Sequence, residues 1–205
     1  MTGADEQVGR LLAALAEQHL DRDTVVVFTS DHGMQLGSHG LIYKNVWFDE
    51  SLLVPFLVRA PGHVRPGRDD LLLSSPDVAP TLLGLLGLAD RIPAAMHGRD
   101  LSGPLRGEDG PRPGTALYLR PSGGVEGAAA DMRGLRTHSR MLVVERHPDA
   151  RTVVRLYDLD DDPYQRSDIA AERPREVATL LGQLDAELRR TGDPWADEPL
   201  AGAPQ

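Results

Sequence analysis

Thr24-Val25-Val26-Val27-Phe28-Thr29-Ser30-Asp31-His32-Gly33 is the stretch whose reading decides the fold of this 205-residue chain. Its first six residues form a continuous β-branched and aromatic run. A run without polar alternation predicts a strand buried on both faces, as in a parallel sheet covered by helices. The residues after Thr29 turn polar, and in open α/β sheets ligands bind beyond the carboxyl ends of strands. Asp31 and His32 stand there, and a carboxylate beside an imidazole makes a good pair of metal ligands. Gly33, Gly37 and Gly40 let the loop turn tightly around a site. Lys44 adds a compact positive charge suited to an anionic substrate or leaving group. An Asp-His-Gly after a strand is often only a polar turn, so the tripeptide needs its context.

Upstream, Val8, Leu11, Leu12 and Leu15 lie on one face of a helix over about residues 4–20. Downstream, residues 45–51 suggest a short helix, and residues 54–59 a second buried strand stopped by Pro61-Gly62. Ser75 reads as an N-cap with Pro76 at the first helical position, and the helix runs to about Leu86 with Gly87 at its end. Residues 92–114 are rich in Gly and Pro and mark a boundary. Beyond it the texture changes. Residues 115–119, 132–137, 141–145 and 152–157 are short strand candidates, with His147-Pro148-Asp149-Ala150 as a hairpin loop. A last helix starts near Pro174 and carries Val177, Leu180, Leu181, Leu184 and Leu188 on one face. The chain therefore reads as two parts, an α/β part over residues 1–114 and a small α+β part over residues 115–205.

Composition narrows the function. Hydrophobic residues are 40% and charged residues 26%, the balance of a globular protein. Aromatics are only 4%, so Leu, Val and Ala must fill the core. A net charge of −9 argues against nucleic acid and anionic membrane surfaces as partners. It leaves room for a small anionic substrate, because a metal and a lysine can dominate the local field. There is no cysteine, which excludes disulfides and thiolate metal sites. The first ten residues are polar and look like neither a signal nor a transit peptide. No apolar run approaches the ~20 residues of a membrane span. A cytoplasmic location is the default expectation.

The run VVVFTSDHGMQLGSHGLIYKNVWFDESLLVPFLVRAPG, residues 25–62, resembles the sulfatase family of the alkaline-phosphatase superfamily. The family pattern is a strand, Ser/Thr-Asp-His/Asn-Gly, a glycine-rich loop, a lysine, an acidic residue and Val-Pro. Here these are Ser30-Asp31-His32-Gly33, Lys44, Glu50 and Val54-Pro55. SSPDVAPTLLGLLGL resembles the family's Asp-x-x-Pro-Thr helix, HGRDLSGPLRG the segment after it, and LYDLDDDPYQRSDIA the terminal element. The likeness runs from about Glu6 to Trp195.

It implies an alkaline-phosphatase-like sandwich with a largely parallel sheet, followed by a small C-terminal antiparallel sheet plus helix. It implies metal-dependent hydrolysis of small-molecule sulfate esters. By position, Asp31 and His32 match the metal-ligating pair, with Ca2+ favoured and Mn2+ an alternative because of the imidazole. Lys44 matches the lysine that binds the sulfate group near the bridging oxygen. His39 lies close enough in sequence to face the site in a supporting role, and Glu50 orients loop backbone.

The family's nucleophile is a formylglycine made in a Cys/Ser-x-Pro-x-Arg signature far upstream. Only 30 residues precede Asp31 and none match, and the family's second acidic cluster is absent as well. The expectation is a truncated or split form, inactive alone, whose partner is a complementing N-terminal chain or segment. A phosphodiesterase or phosphonate monoester hydrolase of the same superfamily is the alternative enzyme. A non-catalytic fragment that binds metal or a partner is the alternative outside catalysis.

Two motifs read as decoys. Ser102-Gly103-Pro104-Leu105-Arg106 matches the nucleophile signature, but the residues after it read as a loop and its place in the chain fits another family segment. Asp158, Asp160 and Asp162 imitate the start of a calcium loop. Pro163 stands where glycine is needed, however, and Ile169 where glutamate belongs.

Overall fold

The β-branched run forms a strand, and the Asp-His pair comes directly after it in the chain. The computed structural model describes residues 2–121, 130–148 and 151–200. Its elements are α1 (Thr2–Glu17), β1 (Val26–Thr29), α2 (Asp49–Leu52), β2 (Phe56–Arg59), α3 (Ser75–Leu85), α4 (Ser102–Arg106), β3 (Ala116–Arg120), β4 (Asp131–Arg136), β5 (Arg140–Arg146), β6 (Thr152–Asp158) and α5 (Pro174–Thr191). Backbone packing divides the chain into two units. One comprises Met1–Ser30, Pro55–Leu71 and Ser75–Arg112; the other comprises Asp31–Val54, Leu72–Ser74 and Pro113–Gln205. The hairpin residues 149–150 lie outside the described residues.

In the first unit β1 and β2 pair antiparallel, with Val26 opposite Arg59 and Thr29 opposite Phe56. Sequence reading places both in a largely parallel sheet. The pattern could not reveal direction, because an apolar run reports cover on its faces and not the orientation of its neighbour. Nor are the strands buried within this chain. Phe28 is 44% exposed and Leu57 63%, and none of the α1 residues is buried.

α3 and the segment after it explain the Asp-x-x-Pro-Thr motif. Asp77 accepts the Arg99 N–H at 2.7 Å, and the Thr81 hydroxyl accepts the Leu101 N–H at 3.0 Å. Pro80 has no N–H to offer the Pro76 carbonyl. Gly98 approaches that carbonyl so closely that a Cβ there would stand 1.9 Å from its oxygen.

The second unit holds a four-stranded antiparallel sheet in the order β3-β4-β5-β6. Both faces of its central strands are covered, so β5 reads as unbroken apolar sequence and not as alternation. Leu142 and Val144 face one way, onto Leu180, Leu184 and Leu188 of α5 and onto Trp195. Met141 and Val143 face the other, onto Trp47 and Phe48. The chain between Asp31 and Val54 thus belongs with the C-terminal sheet, although it lies far from it in sequence.

Tyr118 of β3 sits in that second cluster, and its hydroxyl has no hydrogen-bond partner among the described residues. Burial, against a smaller opposing pull from Arg120, pushes its pKa up from 10.0 to about 12. A raised phenol pKa means the folded state holds its proton while the unfolded chain releases it. Stability should therefore be level below about pH 10 and fall towards about pH 12. Chemical denaturation across that range should show this slope, and Tyr118→Phe should flatten it. An equal slope in both proteins would assign the loss to other groups. Tyr157, also pushed up by burial, adds to the same slope.

Candidate active site

Three side chains of the second unit converge in the segment that follows β1 in the chain. The Asp31 Oδ2 and His32 Nε2 atoms lie 3.1 Å apart. Lys44 Nζ rests against the same His32 Nε2. The return of Lys44, twelve residues on, is made by the loop's backbone. Gln35 N–H donates to Tyr43 O at 3.0 Å, Leu36 N–H to Ile42 O at 3.3 Å and Gly37 N–H to Leu41 O at 2.8 Å. At the tip Gly37 has φ +107° and Gly40 φ +71°, the left-handed region that glycine enters without penalty.

His32 Nδ1 lies 2.7 Å from the Gly33 carbonyl oxygen. Donation of Nδ1–H to that carbonyl puts the lone pair on Nε2, the tautomer of a metal-ligating imidazole. That lone pair faces the Lys44 ammonium, with Asp31 Oδ2 3.1 Å away, so a cation bound by Nε2 would take the place Lys44 holds there. The Asp31 side chain is 81% exposed, open to an incoming ion. Burial works to raise the Asp31 pKa, but His32, the Asp31 and His32 backbone amides, and Lys44 outweigh it and hold the carboxyl low. Among the described residues no group of three or more His, Asp or Glu could hold a metal. The pair therefore fits a divalent cation as part of a ligand set.

His39 takes a different position. Its ring stacks on Phe48, 3.5 Å between centroids and 4° from parallel, and its Nε2 lies 3.6 Å from the Glu50 carboxylate. The backbone behind Asp31 and His32 is tied to the same segment, since Gly33 N–H donates to Ser51 O at 2.9 Å. Asp49, at the head of α2, meets Arg136 Nη1 at 2.5 Å. Burial raises the Asp49 pKa against the opposing pull of Arg136.

Both decoys resolve. Ser102 opens a short helix, where the sequence suggests a loop nearby, but it is only 3% exposed. Its hydroxyl would lie 2.3 Å from a Cβ on Gly84, so it packs against α3 in the first unit. Asp158 accepts the Asp160 and Asp161 N–H groups and an Arg140 N–H, while Asp162 accepts the Arg166 and Ser167 N–H groups. The acidic run caps its own turn.

Sequence patterns assign no role to Asp49, Arg136 or Gln165. One signal is easy to pass over in composition: Lys44 is the single lysine among 22 Lys and Arg residues.

A strand running into an Asp-His pair with a lysine returned to it, followed by a small antiparallel sheet and helix, is an α/β arrangement that this chain shares with solved alkaline-phosphatase-like sulfatases. Residues 1–88 match the family model described as Sulfatase, and the chain carries a sulfatase-family domain over those residues. It is 36% identical to the endo-4-O-sulfatase of Bacteroides thetaiotaomicron over 98% of its own length and 42% of that protein. A solved Bacteroides thetaiotaomicron structure from glycosaminoglycan metabolism superimposes with a TM-score of 0.89 at 34% identity, over 97% of this chain and 44% of the other. The phosphonate monoester hydrolase of Agrobacterium radiobacter superimposes with a TM-score of 0.71 at 28% identity, over 92% of this chain and 39% of the other. The chain spans about two fifths of the relatives it matches. No helix among the described residues is long and apolar enough to cross a membrane.

Proposed function

We propose that this chain supplies the metal pair and the anion-binding lysine of a metal-dependent sulfate-ester hydrolase. The observation that carries the reading is the convergence of Asp31 Oδ2, His32 Nε2 and Lys44 Nζ on one locus. Asp31 and His32 would hold a divalent cation, calcium by family resemblance or manganese by its tolerance of imidazole. When bound, such a cation polarises oxygens on sulfur. The chain's own residues do the remaining work. The Gly33 carbonyl orients the imidazole. Lys44 draws the sulfate towards the locus and opposes negative charge developing on the departing oxygen. His39, stacked on Phe48 and paired with Glu50, holds the loop between the pair and the lysine. The nucleophile belongs to a complementing segment, because this chain has no cysteine and Ser102 is packed away.

Titration calorimetry with Ca2+ and with Mn2+ tests the metal pair. Binding should be weak, because calcium wants about six ligands and the chain offers two. Asp31→Ala should abolish it. Heats that survive this substitution would remove the assignment.

The likeness to a phosphonate monoester hydrolase supports a second reading, in which the same locus receives a phosphonate or phosphate ester. Paired assays with an aryl sulfate and an aryl phosphonate, run on the chain with its complementing segment, separate the two. Metal binding without turnover of either would favour a non-catalytic fragment.

A further inference from the structure

The Asp31–His32–Lys44 group depends on a support that lies elsewhere in the sequence. Gly33, the next residue, is pressed against α2: its N–H bonds Ser51 O at 2.9 Å, and a Cβ on it would stand 2.0 Å from the Glu50 carbonyl oxygen. Where α2 sits therefore decides where the metal pair sits. Yet α2 has four residues, too few to stand as a helix by its own hydrogen bonds. Its first amides have no partner within the helix, and Phe48 before it offers no side-chain cap. Gln165 supplies what is missing. Its Oε1 accepts the Asp49 N–H at 2.7 Å, from 116 residues away.

Gln165 itself is held for the task. It is 1% exposed and has φ +50°, a conformation uncommon for a residue with a side chain. A turn enforces this conformation. Gln165 N–H donates to Asp162 O at 2.9 Å, and the Asp162 carboxylate takes the Arg166 and Ser167 N–H groups at 2.6 and 2.8 Å. The acidic run that imitates a calcium loop thus aims Gln165 at α2.

We propose that Gln165 is a positioning residue for the metal pair, acting through the Asp49 amide and α2 on the backbone of Gly33. The inference rests on the proposed function only for what the pair binds; the mechanical link stands apart from it. Arg136, which grips the Asp49 carboxylate, is the rival support.

The test is native-state hydrogen exchange, read by NMR on the full 205-residue chain, for the parent, Gln165→Ala and Gln165→Glu. Alanine removes the acceptor, and protection of the Gly33 amide should fall about tenfold or more. The Leu184 and Leu188 amides of α5 should keep theirs. Glutamate still presents an acceptor oxygen and should restore Gly33. Line broadening of the His32 signals by added Mn2+ should weaken in the alanine variant and return in the glutamate variant. Unchanged Gly33 protection in Gln165→Ala would assign the support to Arg136 and overturn the proposal. Loss of α5 protection along with Gly33, or loss of the fold, would mark a general structural role and overturn it equally. Absence of Mn2+ broadening in the parent would count against the metal reading and leave the exchange result to decide the role of Gln165.

Discussion

Under the proposed function, Lys44→Ala should lower turnover of a sulfate ester by about 10²- to 10³-fold in a protein that also carries the nucleophile, the usual cost of removing one group aimed at developing oxyanion charge. The melting temperature should shift by no more than about 2 °C, because exposed substitutions change stability little. Composition and geometry support the same role. A chain that meets every other cationic need with arginine keeps one lysine, and the fold returns that lysine to His32 Nε2. Arginine would offer a broad planar fork where a point charge is called for. Lys44→Arg should therefore recover little of the loss. Steady-state kinetics on both variants, beside their melting curves, check this. Turnover by the alanine variant equal to the parent's would make Lys44 a solvated surface lysine.

Gly33→Ala should be the most destabilising change in the site, by about 3 kcal/mol, at the upper end for forcing one methyl into a filled space. Its Cβ would stand 2.0 Å from the Glu50 carbonyl oxygen and 2.9 Å from its carbon. These are backbone atoms of α2, so no side chain can rotate away. α2 cannot retreat either, because Arg136 holds Asp49 from one side and Gln165 caps it from another. Thermal melting should fall by roughly 6–12 °C for a chain of this size. Metal binding should weaken with it, since the same shift moves Asp31 and His32. A variant that melts with the parent would show that the loop has room the structure does not give it.

Much of the fold was legible because it is local. The four C-terminal strands fall within two residues of their sequence-based bounds, since each is a short segment closed off by turn residues. The α5 stripe of Leu180, Leu184 and Leu188 was readable from a 3.6-residue period and is buried in the core. Asp31, His32 and Lys44 could be singled out because a strand end, a glycine-rich loop and a lone lysine lie within 21 residues of one another.

The tertiary structure alone decided what depends on residues distant in the chain. It set β1 and β2 antiparallel, a matter on which an apolar run is silent. It assigned residues 31–54 to the C-terminal unit, through Trp47 and Phe48 against the sheet. It joined Gln165 to Asp49 across 116 residues. Periodicity, capping and turn chemistry act over a few residues, so a sequence displays them directly. Which face covers which, and which buried amide meets which oxygen, depend on chain segments packing together, and no local pattern records that.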